Sequence, residues 1–142
     1  MRRTVLLRIL AGAAAMSALI VCGMARADIH VGVILSLTGP GASLGIPAGN
    51  TVKLWPAEVA GQKLKYTVIN DSTDPTEAVK AAVKLIAEEH VDAIVGPSLT
   101  PASLAVLEKA AESGTPMISL AGGGAIVNPM NGPRRWAFKV SP

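Results

Sequence analysis

The chain has 142 residues, half of them hydrophobic, with 13 Lys and Arg against 10 Asp and Glu and a single cysteine. Four arginines (Arg2, Arg3, Arg8, Arg26) fall in the first 27 residues with no acid beside them, so the basic excess belongs to that segment and the remaining 115 residues carry nine basic and ten acidic side chains. No Lys/Arg cluster with interleaved aromatics is present, which excludes a nucleic-acid footprint; with Cys22 in the leader, the rest has no disulfide framework or thiolate metal site, and 115 residues suffice for one domain but not two.

Residues 1–27 combine Arg2, Arg3 and Arg8 with an apolar stretch from Ile9 to about Gly23 and an Ala25-Arg26-Ala27 cleavage pattern. That combination predicts a secretory signal peptide over residues 1–27. The apolar run is shorter than the roughly 20 residues needed to span a bilayer. General secretion is the expected route, since nothing around Arg2-Arg3 strengthens a twin-arginine signal. Lipoprotein anchoring at Cys22 is disfavoured by the branched Val21, where a small residue would be needed.

Ile29 to Leu37 (IHVGVILSL) is an apolar, β-branched run that predicts a strand buried on both faces of a parallel sheet. The following Ser36–Gly45 stretch, SLTGPGASLG, is glycine-rich, but its spacing is G-x-G-x-x-x-G, one residue longer than the dinucleotide fingerprint, and no acid sits where a ribose needs one. A short or distorted helix is expected between Ala48 and Trp55, ended by Pro56. Leu64 to Ile69 predicts a second strand. Asp74-Pro75-Thr76-Glu77 then supplies an N-cap acid, a proline at the first helical position and an acid at the third; Val79, Val83 and Ile86, with Ala82 beside them, are expected to form the helix's apolar face. Asp92 to Val95 predicts a third strand, and Pro101 to Ser113 a helix with Thr100 as N-cap, Leu104 and Leu107 as anchors and Gly114 as terminator. Met117 to Leu120 and Trp136 to Val140 predict the fourth and fifth strands. The alternation predicts an α/β fold, a doubly wound parallel sheet built from right-handed βαβ units.

In such a sheet, ligands bind beyond the carboxyl ends of the strands. Four loops are expected to meet there: Thr38 to Gly45, Asp71 to Thr73, Gly96 to Thr100, and Ala121 to Gly124. Thr100 opens a helix whose free N–H groups favour a carboxylate; equally, its hydroxyl serves as an ordinary cap. Ala121, Gly122 and Gly123 offer backbone groups at close range. Asp74 is accounted for as a cap and Asp71 as a turn residue. His30 and His90 belong to the opposite edge, so Ser36, Ser43, Ser98 and Ser119 have no activating base. No H-E-x-x-H, P-loop lysine or G-x-S-x-G is present. The expectation is a protein that is not an enzyme, without cofactor or metal.

IHVGVILSLTGPGASLG, VINDSTDPTEAVKAAVKLIAEEHVDAIVGP, GTPMISLAGG and RRWAFKVSP, in that order from Ile29 to Pro142, resemble the N-terminal lobe of the periplasmic substrate-binding proteins of ABC importers, of the leucine/isoleucine/valine-binding type. The resemblance implies that residues 28–142 form the N-terminal lobe of a type I periplasmic-binding-protein domain, truncated because family members are more than twice as long. It implies a clamp that closes on an amino acid, amide or related small carboxylate in the periplasm and passes it to an inner-membrane ABC permease. By the same resemblance Thr100, with Leu99 beside it, binds the ligand's carboxylate, Ala121 offers a backbone carbonyl, and Ser43 or Leu44 contributes from the first loop. The second hydroxyl of the family pattern is absent, since Gly123 stands there beside Gly122. A sensing ectodomain that signals to a receptor partner is the alternative.

Overall fold

The computed structural model describes residues 28–140; the expected signal peptide and Cys22 lie outside them. In chain order the elements are β1 (Ile29–Leu35), α1 (Ala42–Val52), β2 (Glu58–Val59), β3 (Gln62–Asn70), α2 (Pro75–Ala87), β4 (Ala93–Val95), α3 (Thr100–Ser113), β5 (Met117–Ser119) and β6 (Ala137–Lys139), with 3-10 turns at Gly124–Ile126 and Gly132–Trp136. They form a six-stranded sheet in the order β2-β3-β1-β4-β5-β6. All pairings are parallel except the antiparallel edge pair β2–β3. The α/β parallel architecture expected from the alternation is therefore present, and each of its five parallel strands overlaps a segment read as a strand in the sequence.

Alternation along β1 divides the sheet into two faces. Leu85 of α2 lies directly over Gly32, where even a Cβ would stand 2.8 Å from the leucine methyl; Gly32 and Ile34 thus face α2. Leu35 and Leu37 face the other way, against Gly49 of α1. Helices α2 and α3 pack side by side on the first face. Between them and the sheet lies the core, with Ile34, Leu85, Ile94, Val106, Leu107, Met117 and Ile126 essentially inaccessible.

On the α1 face the cross-strand register lines up one row of apolar side chains, Val68, Val33, Val95, Ile118 and Phe138. Val33 is fully buried, yet Val68, Ile118 and Phe138 keep 42%, 36% and 54% of their surface exposed. Helix α1 covers the centre of this row and leaves its ends open.

Three expectations need correcting. The first crossover helix begins at Ala42, not Ala48, so Ser43, Leu44 and Gly45 are helical and not loop residues. It begins early because Gly45, having no side chain, seats the helix directly on the Ser36 backbone. Pro47 lies inside it and forfeits only one i→i−4 bond. Second, α2 buries Ala78, Ala81, Ala82 and Leu85. Val83 is 45% exposed, while Val79 and Ile86 are half-buried. Small alanines let α2 approach both the sheet and α3, and the valines turn outward. Third, the loop before β3 holds a hairpin that sequence periodicity gave no sign of, Val59-Ala60-Gly61-Gln62, with both central residues at positive φ (51° and 75°). That is the two-residue turn that matches strand twist.

Candidate functional site

The sheet order reverses at β1, since β3 and its hairpin lie on one side and β4, β5 and β6 on the other. Loops leaving β1 and β4 therefore diverge and open a crevice at the carboxyl edge, where open α/β sheets bind ligands.

Close contacts between the expected loops show that they converge. Gly39 takes φ +79°, a conformation open to glycine, and sits against Ser72 and Thr73; Gly41 lies against Leu99 and Thr73; Gly123 lies against the Thr100 side chain. Hydrogen bonds tie the first two loops together: Thr73 Oγ1 donates to Thr38 O (2.7 Å), Gly41 N donates to Thr73 Oγ1 (3.0 Å) and Asn70 Nδ2 donates to Thr38 Oγ1 (2.8 Å). Leu99, Thr100, Gly122, Gly123 and Ala121 are thereby grouped at one edge. Ser43 and Leu44 are both exposed, on the first turn of α1 next to Gly41.

The two helices on the core face end differently at this edge. Helix α2 is closed by its own sequence, because Asp74 Oδ1 accepts from Thr76 N (2.6 Å) and Glu77 N (3.1 Å). Those bonds, the one from Glu77 first, hold the Asp74 carboxyl below the usual aspartate range. Helix α3 has no such closure. Thr100 is its first residue, the N-cap position belongs to Leu99, and there is no side-chain cap bond and no acid in the first turn. The expectation of Thr100 as N-cap is thus corrected by one residue. Pro101, in the first turn, has no N–H to leave unpaired, and the other first N–H groups of α3 are left without intrahelical acceptors. Among the described residues the Thr100 hydroxyl has no hydrogen-bond partner. An uncapped helix start with a free hydroxyl can hold an anion.

Beneath the edge runs a seam of buried hydroxyls that sequence reasoning did not anticipate as a unit. Ser103 and Ser119 share a hydrogen bond (Oγ–Oγ 2.8 Å), Ser103 Oγ donates to Pro97 O (3.3 Å) and Ala121 N donates to Ser119 Oγ (3.1 Å). Nearby, Ser36 N makes a long bond to Ser98 Oγ (3.4 Å). The Ser98, Ser103 and Ser119 hydroxyls are thus engaged in bonds that tie the loops to the sheet. Ser36 Oγ and Asp71 Oδ2 are buried without partners among the described residues. Asp71 Oδ1 accepts from Thr73 N (2.8 Å), as befits a turn residue. Lys139, at the end of β6, reaches over the last loop and donates to Gly122 O (3.1 Å). Its position on a late strand gave no sequence signal for that role.

His30 lies at the opposite edge as expected. Its Nδ1 faces Glu89 O (2.9 Å), a pure acceptor, so Nδ1 carries the proton there, and Nε2 pairs with Thr67 Oγ1 (2.8 Å). Glu89 in turn binds Lys65 (3.1 Å), which holds its carboxyl below the usual range. This cluster pins β1, β3 and the end of α2 far from the crevice. Among the described residues there is no group of three or more His, Cys, Asp or Glu able to hold a metal ion, and no helix long and apolar enough to cross a membrane.

An open α/β lobe with convergent loops at its switch point, an anion-ready helix start and, among the described residues, no assembled catalytic group has the form of a small-solute cleft. The chain belongs to the Periplasmic binding protein family, whose match covers residues 28–142. It is similar to an extracellular ligand-binding receptor from Rhodopseudomonas palustris HaA2, with 43% identity and a TM-score of 0.79 over 81% of this chain and 32% of that one. It is also similar to a solute binding protein of an ABC transporter from Rhodopseudomonas palustris BisB5, solved in complex with 3,4-dihydroxy benzoic acid, at 29% identity and a TM-score of 0.73 over 79% and 31% of the two chains. The Leu/Ile/Val-binding protein BraC3 of Rhizobium johnstonii is 29% identical over 102 residues, 68% of this chain and 28% of that protein. The chain thus spans about a third of the length of these relatives.

Proposed function

We propose that the protein is the solute-binding component of an ABC importer, with residues 28–142 forming the N-terminal lobe of the clamp and residues 1–27 a cleavable signal peptide that directs it to the periplasm. Its solute is a branched-chain amino acid or a related small carboxylate or amide, which it passes unaltered to an inner-membrane permease. The observation that carries this reading is the unengaged Thr100 hydroxyl at the uncapped start of α3, where the loops meet. Thr100 and the first N–H groups of α3 receive the solute's carboxylate. Ala121 O, Gly122 and Gly123 meet its polar flank, and Leu99 with Ser43 and Leu44 forms the wall beside it. The names of two relatives support a carboxylate, since leucine and a dihydroxybenzoic acid share that group and little else.

The test is calorimetric titration of the purified protein with leucine, valine, their amides, and benzoic acids. Saturable binding of a carboxylate, weakened about tenfold or more on changing Thr100→Val, is expected. Absence of binding to every member of the panel by protein with a native circular dichroism spectrum would overturn the reading.

A further inference from the structure

A second surface lies on the α1 face of the sheet, away from the carboxyl edge, and owes nothing to the identity of the solute. Helix α1 has no charged residue and buries only Gly45. The row of side chains beneath and beside it, Val68, Val33, Val95, Ile118 and Phe138, is uncharged as well. Ile46 on the helix and Ile118 and Phe138 on the sheet remain exposed. The outward surface of α2 and α3 is of the opposite kind, with Lys80 paired to Glu77 and Lys109 to Glu112.

Parallel sheets are covered on both faces. Here α1 covers β1, as the complete burial of Val33 shows. The crossover from β5 to β6 packs its 3-10 turns against α3, on the other face, so among the described residues β5 and β6 are bare on the α1 side. Helix α1 therefore stands as a ridge. One flank is an apolar groove lined by Leu37, Ile46, Val52, Tyr66 and Val68, and the other is the open strip from β4 to β6. Two inter-strand gaps of about 4.8 Å make that strip about 10 Å wide, the diameter of one α-helix with its side chains. An uncharged helix fits it.

We propose that two copies of the chain pair through this face about a two-fold axis, the α1 ridge of each lying in the β5–β6 strip of the other. Each copy carries both halves of the contact, so a single two-fold closes it. No like charges meet, since neither the helix nor the row holds any, and charge-poor apolar patches are what the centres of subunit interfaces are made of. Anionic lipid fits this face poorly, because α1 and the row have no Lys or Arg to offer it.

Sedimentation velocity of the purified protein over a range of concentrations should show a reversible step from monomer to dimer. Phe138→Asp, in the strip, and Ile46→Lys, on the ridge, should each weaken pairing by about tenfold or more while circular dichroism stays native, since each buries a charge in an apolar contact. Val83→Asp, at a position as exposed as Ile46 but on α2, should leave pairing unchanged. Mixed in equal amounts, the Phe138→Asp and Ile46→Lys proteins should pair with each other more tightly than either pairs with itself, because one contact is then intact and the other brings opposite charges together. A protein that stays monomeric at every concentration overturns the proposal, and binding of an apolar dye to that monomer, weakened by Phe138→Asp, would assign the face to a different chain or segment. Pairing that survives both substitutions, or no gain on mixing, overturns it as well. If Phe138→Asp does not fold, Ile46→Lys compared with Val83→Asp decides.

Discussion

Replacing Thr100 by valine separates the two roles that a threonine at a helix start can play. Valine keeps the branched shape packed against Gly123 and deletes only the hydroxyl. If Thr100 were a cap, its loss would cost about 0.5–2 kcal/mol of stability. The structure gives Leu99 the cap position and leaves the Thr100 hydroxyl unbonded, so folding has no bond there to lose. The expected change in unfolding free energy is within about 0.5 kcal/mol, the range of substitutions that break no specific interaction. A hydrogen bond to a bound carboxylate is different, since bonds to charged groups contribute about 1.5–3 kcal/mol. Affinity for a carboxylate ligand should therefore fall by about 10- to 150-fold, at about 1.4 kcal/mol per factor of ten. Urea unfolding and calorimetric titration of the two proteins supply both numbers. A stability loss above about 1 kcal/mol with affinity unchanged, the pattern of a lost cap, would refute the reasoning.

Leu85→Ala should destabilise the fold by about 2–5 kcal/mol, because the side chain is fully buried over Gly32 and nothing can collapse into its place; chemical denaturation measures this. Gly123→Val should destabilise by about 1–3 kcal/mol through overpacking against Thr100. Combining it with Thr100→Ala should recover part of that loss, seen as a coupling above about 0.5 kcal/mol in a double-mutant cycle. Asp74→Ala should lower the urea midpoint at neutral pH, and Asp74→Asn, which keeps a capping oxygen but loses the charge, should lower it less. The folded-state pKa of Asp74 is depressed by its cap bonds. Its charge-dependent contribution is thus present above the unfolded-state pKa and lost as pH falls through the folded one, so the gap between wild type and Asp74→Ala should narrow in acid.

The parallel strands were legible in the sequence because runs such as IHVGVIL are buried on both faces and carry no periodicity that competes with the β reading. Helix α2 was legible at its start, where Asp74, Pro75 and Glu77 act locally, but not in its orientation. Hydropathy places Val79 and Val83 inward, whereas packing distance decides for Ala78, Ala81 and Ala82. The early start of α1 depends on Gly45 meeting the Ser36 backbone, a tertiary contact invisible along the chain. At the carboxyl edge, spacing from strand ends anticipated that the Gly96–Thr100 and Ala121–Gly124 loops lie together, as Gly123 against Thr100 shows. It could not locate Lys139, whose role comes from the register of β6 against β5. Nor could it tell a capping threonine from a free one, because that difference is a single residue of helix phase.

The hydroxyl seam beneath Thr100 bears on how a solute would bind rather than on which one. With Ser119 Oγ gripping Ala121 N and Ser103 Oγ joined to both Ser119 and Pro97, the backbone on either side of the crevice is held by the fold's own hydrogen bonds. The conformational freedom that loop-built sites surrender on binding has here been surrendered on folding. A ligand that docks against Thr100 meets a backbone already held, and amide hydrogen exchange at Ser103, Leu120 and Ala121, whose N–H groups are bonded within the fold, should be as slow before it arrives as after.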